Sequence, residues 1–520
     1  MHEAHATPKY SGEAAFSCLD GDKSMIGEKP KYRILWTWDY CTFWDDTKFV
    51  RGSWSTGVSQ RRTHFLNDYK RMVDHCAKLG FNGIVIWGAL RAHDNGIEQF
   101  RELVNYGKQK GVRILPGVGV FSYGGVVYDP RSHFLMPDEL PNEPSPYNLP
   151  MWLNKHPELA AICPDGKPKN LGMFSAVACP SKKENMDWFK NAFEWLCNEF
   201  QIEGAQIEIG DYAVCHCTDC NKKREGASSS VFMIEDMAEP YNIAYDIAKK
   251  ANPDAWVIFE TYSSFAPPIT GDNPNALGMA LDAQQMKLLS SLPADALQQW
   301  VMDRAVGYKP TQEWGKNISL PSHPDNHIAR ITAGSQWQIN SIDGWAVYAI
   351  GDMVKKSRAS GIGGVSIFGE ESPVSPPTEA NYLVFSEFSG FGNKNDDCDF
   401  DFFTKQTLDP LYGGTGFADR WKEIYITAHM LRLHKGSLEW AVNDPLQFHH
   451  AHLEINQPDL HIRSMNMSID DKRKETLKLA HEAHDIASKL SGDVCRRWAW
   501  LENWLWCAEF LYSTNIWEKF

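Results

Sequence analysis

A chain of 520 residues, 43% hydrophobic and 23% charged, has the composition of a folded globular protein and the length for one large core plus an appended domain; this excludes a disordered chain. The formal charge of −14, with no dense block of Lys or Arg, argues against nucleic acid or anionic lipid as the main partner and favours a neutral ligand. No run approaches the roughly 18 apolar residues of a bilayer span, and MHEAHATPKYSGEAAF lacks the charged-then-apolar order of a secretory signal. The expected location is therefore cytoplasmic, or periplasmic if a signal was removed.

In chain order, a polar leader runs to about Pro30 and YRILWTWDY reads as a strand. RRTHFLNDYKRMVDHCAKLG follows as an amphipathic helix ending in glycine. The unit then repeats: strand FNGIVIW, helix IEQFRELVNYGKQKG, strand VRILPGVGVF. A long proline-rich loop, Ser122 to Leu149, comes next, and loops of that length in a compact domain are usually functional or disordered. The alternation resumes with MDWFKNAFEWLCNEF (helix), EGAQIEIG (strand), YNIAYDIAKKA (helix) and AWVIFETY (strand). A helix near Gln284 to Leu292, the strands ALQQWVM and HIARI, the helix WAVYAIGDMVKKSRASG and the strand GGVSIFG complete eight strand candidates.

Near-continuous apolar strands separated by amphipathic helices predict a parallel sheet covered by helices. The simplest closure is a (β/α)₈ barrel over residues 31–392, preceded by an N-terminal extension (1–30) and followed by an α-helical C-terminal domain (393–520). A doubly wound open sheet is the alternative, but no G-x-G-x-x-G follows the first strand.

Twelve cysteines are too sparse for a disulfide scaffold in a chain this long and fit a reducing compartment. Cys215, Cys217 and Cys220 instead place three thiolates within a few residues, which suits tetrahedral Zn²⁺. A closed site needs a fourth ligand. Cys179 is favoured, Cys163 is next, and His216 and Asp219 are poorer candidates. The stretch MWLNKHPELAAICPDGKPKNLGMFSAVACPS, followed by IEGAQIEIGDYAVCHCTDC, resembles the β-galactosidases of glycoside hydrolase family 42. The likeness rests on an H-P-E segment, a cysteine before a Ser/Pro step and the C-x-C-x-x-C cluster after the fourth strand; it covers roughly Met151 to Arg224. That resemblance implies a structural zinc held by Cys179, Cys215, Cys217 and Cys220, away from the substrate. Where the family carries Asn-Glu at the end of the fourth strand, this chain has Ile209-Gly210, so the general acid falls to Glu208 or Asp211. The region from GIGGVSIFGEESP onward more loosely resembles hexosaminidase- and glucuronidase-type barrels with helical C-terminal domains.

Glycosidic cleavage needs one group to protonate the departing oxygen and another to supply a nucleophile, activate water or brace a substrate nucleophile; paired carboxylates do this because their surroundings can split their acidities. In a parallel barrel they stand at the C-terminal ends of strands, which leaves Asp39, Glu208, Asp211, Glu260, Asp303, Glu370 and Glu371. The expected arrangement has Glu208 or Asp211 as general acid, Glu370 or Glu371 as its partner, and Glu260 in reserve. The plain alternatives are an inward Glu208 paired with Arg91 or Arg304, and a Glu370 that merely caps a helix. HIARITAGSQW offers no carboxylate, which leaves inversion, substrate assistance or a nucleophile on the eighth strand open.

Twenty tryptophans are an unusually large number, and several fall where strands end. Flat apolar rings beside polar groups can hold the C–H face of a sugar. Trp38, Asp39, Trp87, Arg91, His93, Tyr123, Trp300 and Trp337, with Asp94, are therefore the candidate substrate contacts, while His449 and His450 read as a loop pair. The expectation is a glycoside hydrolase acting on a carbohydrate. Its rivals are a sugar lyase, epimerase or isomerase on the same barrel, and a non-catalytic carbohydrate-binding protein.

Overall fold

YRILWTW, with bulky apolar residues at nearly every position, forms the first strand, β1 (Tyr32–Trp38). The computed structural model describes residues 27–39, 44, 54–91, 95–122, 124–128, 147–169, 177–208, 214–224, 234–264, 283–301, 320–332, 334, 344–369, 372–393, 395–432, 457 and 460–513. After β1 come α1 (Trp54–Leu79), β2 (Gly83–Trp87), α2 (Gly96–Lys110) and β3 (Arg113–Gly119). The short helix Leu149–Lys155 precedes α3 (Lys183–Phe200), β4 (Gly204–Glu208), α4 (Ile234–Ala251) and β5 (Trp256–Ser264). Then follow α5 (Ala283–Ser290), β6 (Leu297–Val301), β7 (His327–Ile331), α6 (Val347–Ala359), β8 (Gly364–Phe368) and α7 (Pro376–Phe388).

All neighbouring strands pair in parallel, and β1 pairs with both β2 and β8, so the sheet is a closed eight-stranded barrel. This is the (β/α)₈ architecture expected from the sequence. A doubly wound sheet would leave two edge strands, whereas β2, β4, β6, β7 and β8 are buried at every residue.

Side chains alternate between the interior and the surrounding helices. The interior cluster includes Tyr32, Ile34, Trp36, Trp38, Val85, Trp87, Leu115, Ile258, Leu297, Ile328 and Phe368, with Trp256 packed at its foot. Its N-terminal half is an apolar plug; Gln206, Glu208, Glu260, Gln299 and Arg330 continue the inward positions toward the C-terminal ends. β3 contributes Gly117, where a Cβ would lie 2.4 Å from the Trp87 ring, so the indole occupies the space that side chain would fill.

The C-terminal helices α8 (Phe417–Arg432), α9 (Ile469–Ala487) and α10 (Gly492–Ser513) form a region of their own, joined to the barrel through α7. Arg497 on α10 grips Glu379 on α7 with two hydrogen bonds of 2.8 and 2.7 Å. Trp421 and Trp498 are fully buried beneath that contact.

α4 and α7 are among the helices that depart from the sequence expectation. α4 begins seven residues before Tyr241 and runs through Pro240. An interior proline costs about 3 kcal/mol, and here the buried stripe Ile234, Met237, Tyr241, Ala244 and Ala248 outweighs it. α7 went unread, although its S-P-P start, with Ser375 as cap and prolines at the first helical positions, is a recognised helix opening. Among the described residues no helix is long and apolar enough to cross a membrane.

Candidate active site

At the C-terminal end of β1 the chain turns at Asp39, whose amide continues the β1–β2 ladder by donating to the Trp87 carbonyl at 2.8 Å. Its carboxylate receives Arg91 Nε at 2.5 Å and Nη2 at 3.0 Å, and both side chains are buried. Gly88 permits this pairing twice over: its φ of +71° lies in the left-handed region, and a Cβ there would sit 2.7 Å from Asp39 Oδ1. The Arg91 guanidinium lies 4.8 Å over the Tyr128 ring. Tyr128 meets Trp38 edge-on at 5.8 Å, and Trp38 packs on Trp87 at 5.9 Å. One side of the mouth is thus an aromatic wall backed by a neutralised ion pair.

The other side centres on Gln206 and Glu260. Trp36 Nε1 and Trp87 Nε1 both donate to Gln206 Oε1, at 2.8 and 3.2 Å. An indole N–H can only donate, so the amide orientation is fixed and Nε2 must face Glu260, whose Oε2 it reaches at 3.0 Å. Gln299 Nε2 donates to the same oxygen, and Arg330 Nη1 stands 3.0 Å from it. Three donors on one buried oxygen, one of them a guanidinium, favour the carboxylate form of Glu260. Arg330 is held in turn, 5.7 Å over Trp36 and 5.3 Å over Phe368.

Glu208 is the last residue of β4, buried, and shares the inward parity of Gln206. The β4–β5 register pairs Gln206 with Ile258 and Ile207 with Phe259; one further step sets Glu208 beside Glu260 on neighbouring strands. Parallel strands stand about 4.8 Å apart, so two inward carboxylates share this part of the mouth.

The structure therefore brings together Trp38, Asp39, Trp87 and Arg91, and separately Glu208 and Glu260. Arg91, considered from the sequence as a partner of Glu208, is bound to Asp39. Trp300 is placed elsewhere. On β6 the inward residues are Leu297, Gln299 and Val301, so Trp300 points to the helices, where its Nε1 donates to His327 Nδ1 at 2.8 Å; it is not a mouth residue. Asp211, Glu370, Glu371, His93, Tyr123 and Trp337, with Asp94, Asp303, Arg304, His449 and His450, lie outside the described residues. Sequence reasoning missed Trp36, Tyr128, Gln206, Gln299, Arg330 and Phe368.

A second site lies in the connections after β3 and β4. The sulfurs of Cys179, Cys215, Cys217 and Cys220 all fall within 4.8 Å of one another. Cys179 Sγ is 3.6 Å from those of Cys215 and Cys220 and 3.7 Å from that of Cys217. A tetrahedral thiolate site with metal–sulfur bonds of about 2.3 Å places its sulfurs about 3.8 Å apart, so the group fits a metal ion. Cys163 is not in the group, nor are His216 and Asp219. The amides of Ile162 (3.3 Å) and Cys217 (3.5 Å) point at Cys215 Sγ, and the Ser181 hydroxyl lies 3.0 Å from Cys220 Sγ. Hydrogen bonding with Cys179 and Cys220 holds Cys215 far below the ordinary thiol range, while hydrogen bonding with Cys215 and Cys220 pushes Cys179 up. Cys179, Cys215 and Cys220 pack in the core outside the barrel, not in the interior cluster.

No family model matches the chain, and no curated protein matches it in sequence. Among solved structures, an alpha-amylase from Geobacillus thermoleovorans is 9% identical, with a TM-score of 0.37 over 70% of this chain and 79% of its own. A glycoside hydrolase family 20 beta-N-acetylglucosaminidase is 13% identical, with a TM-score of 0.38 over 75% of this chain and 76% of its own. A glycoside hydrolase family 138 enzyme targeting pectin rhamnogalacturonan II is 9% identical, with a TM-score of 0.43 over 93% of this chain and 57% of its own. These neighbours are glycoside hydrolases, and at such scores the likeness adds nothing to the barrel already evident from the strand order.

Proposed function

We propose that this chain is a glycoside hydrolase that cleaves glycosides or short oligosaccharides at the C-terminal mouth of the barrel by carboxylate acid/base catalysis. The observation that carries the reading is the pair of inward carboxylates, Glu208 and Glu260, on adjacent strands, one of them tied down as an anion by Arg330, Gln206 and Gln299. Glu208, buried and inward on the adjoining strand, is positioned for the general-acid role. Glu208 then delivers its proton to the departing glycosidic oxygen, while Glu260 balances the positive charge that develops on the sugar ring. Asp211 is the alternative proton donor, and activation of water, or attack, falls to Glu370 or Glu371. Trp38 and Trp87, with Tyr128 behind them, supply the flat apolar surface for a sugar face.

The direct test is to incubate the purified protein with a panel of aryl glycosides and natural oligosaccharides and measure released sugar. Release from at least one substrate is expected. No release across the panel from folded, metal-replete protein would overturn the reading.

The four-cysteine group is assigned as a closed zinc site, with Cys179, Cys215, Cys217 and Cys220 as ligands. A zinc bound there supplies cross-linking of two loops, since four thiolates leave no open position. Elemental analysis of reduced protein is expected to give one zinc per chain. Cys217→Ser is expected to make the metal chelator-labile and lower the melting temperature by several degrees, with turnover per folded molecule near the parental value. A variant that melts like the parent but has lost turnover would place the metal in the chemistry instead.

A further inference from the structure

We infer that Trp36 is a positioning residue for the proposed reaction, acting on Glu260 through Gln206 and Arg330, the groups it aims at that carboxylate. The inference rests on the hydrolase reading above and extends it one layer below the aromatic wall. Trp36 lies two residues before Trp38 on β1, shares its inward parity and is buried in the interior cluster. The neighbours of β1 are β2 and β8, yet this one indole serves β4 and β7. Its Nε1 donates to Gln206 Oε1 at 2.8 Å, and its ring lies 5.7 Å from the Arg330 guanidinium. Phe368 packs on Trp36 at 4.5 Å and covers Arg330 at 5.3 Å.

The chemistry of the indole makes both contacts directional. Its N–H donates and never accepts, so it opposes the flipped Gln206 amide, in which Nε2 would face the ring and Oε1 would face Glu260. That flip would set a carbonyl oxygen against the carboxylate where a donor now stands at 3.0 Å. Trp87 adds a second bond of the same sense, longer at 3.2 Å. The ring face attracts the guanidinium and helps keep Arg330 at 3.0 Å from Glu260 Oε2. Phenylalanine would keep a face but lose the donor, and a tyrosine hydroxyl could accept as well as donate.

The experiment replaces Trp36 in the full chain by benzothienylalanine, which keeps the ring's shape and puts sulfur in place of the N–H. Turnover on the best glycoside is expected to fall about 10-fold, the size of one lost hydrogen bond, with KM unchanged because the wall is untouched. The urea midpoint is expected to drop as well, and to drop less when the same replacement is made in Glu260→Gln, since a bond to a carboxylate is about twice as strong as one to a neutral carbonyl. Equal drops in the two backgrounds would mean that Trp36 serves packing alone, which overturns the inference. Parental turnover and midpoint overturn it too, as does a raised KM with parental kcat, which would move Trp36 into the sugar wall. A parent that cleaves no glycoside overturns the hydrolase reading, and the two midpoint shifts then still decide whether Trp36 aims the groups around Glu260.

Discussion

Glu208→Gln is expected to lower turnover of natural oligosaccharides by about 10²–10⁴-fold, the usual contribution of a positioned proton donor. The loss should shrink for activated aryl glycosides, whose leaving groups depart with little protonation. Glutamine has nearly the same shape and stays polar, so the buried β4 terminus should keep its fold and the variant should melt like the parent. Asp211→Asn is the paired measurement, because both residues flank the position where the resembling family carries its Asn-Glu. The acid is whichever variant shows the leaving-group dependence. If both retain parental turnover on good and poor leaving groups alike, β4 does not donate the proton and the mechanism fails.

Arg330→Met is expected to destabilise the protein by about 3–5 kcal/mol, the usual cost of breaking a buried ion pair from one side. The loss arises because Glu260 would remain as a buried anion without its guanidinium, although the two glutamine amides still donate to it. Adding Glu260→Gln to Arg330→Met should recover most of the lost stability, since the orphaned charge disappears. Urea midpoints of the parent, both single variants and the double variant give the coupling between the two residues. A midpoint for Arg330→Met equal to the parent's would mean that Glu260 does not depend on Arg330. In that case the argument for a fixed anion at β5 collapses.

The barrel was legible because its signal is repetitive: apolar runs too continuous for half-exposed strands alternate with amphipathic helices, and only a covered parallel sheet satisfies both. The cysteine group was legible because its chemistry is local, with three ligands within six residues. The polar core of the mouth was harder to see. Gln206 lies two residues before Glu208, and strand parity alone puts both inside. Yet glutamine carries no catalytic signature, and its role emerges only when Trp36 and Trp87 are seen to aim at its oxygen. Arg330 was a missed signal: a cation in the middle of the apolar strand HIARI must face a buried anion, and Glu260 was already a candidate. Trp300 misled in the opposite direction. Its position at a strand end suggested the mouth, but counting alternate residues from Leu297 sends it outward to His327.

Cys179 and Cys215 stand 36 residues apart, and the segment between them contains all of α3 and β4. With a metal bound to both, that segment becomes a closed ring in the topological sense. Much of the benefit of such a ring lies outside the folded protein: it shrinks the set of shapes the unfolded chain can explore, by about 4 kcal/mol for a ring of this size on the chain-entropy relation. The strand that presents Glu208 is inside the ring. Loss of a metal bound there would therefore lower the stability of the whole fold that carries this strand, without disturbing any contact the strand itself makes.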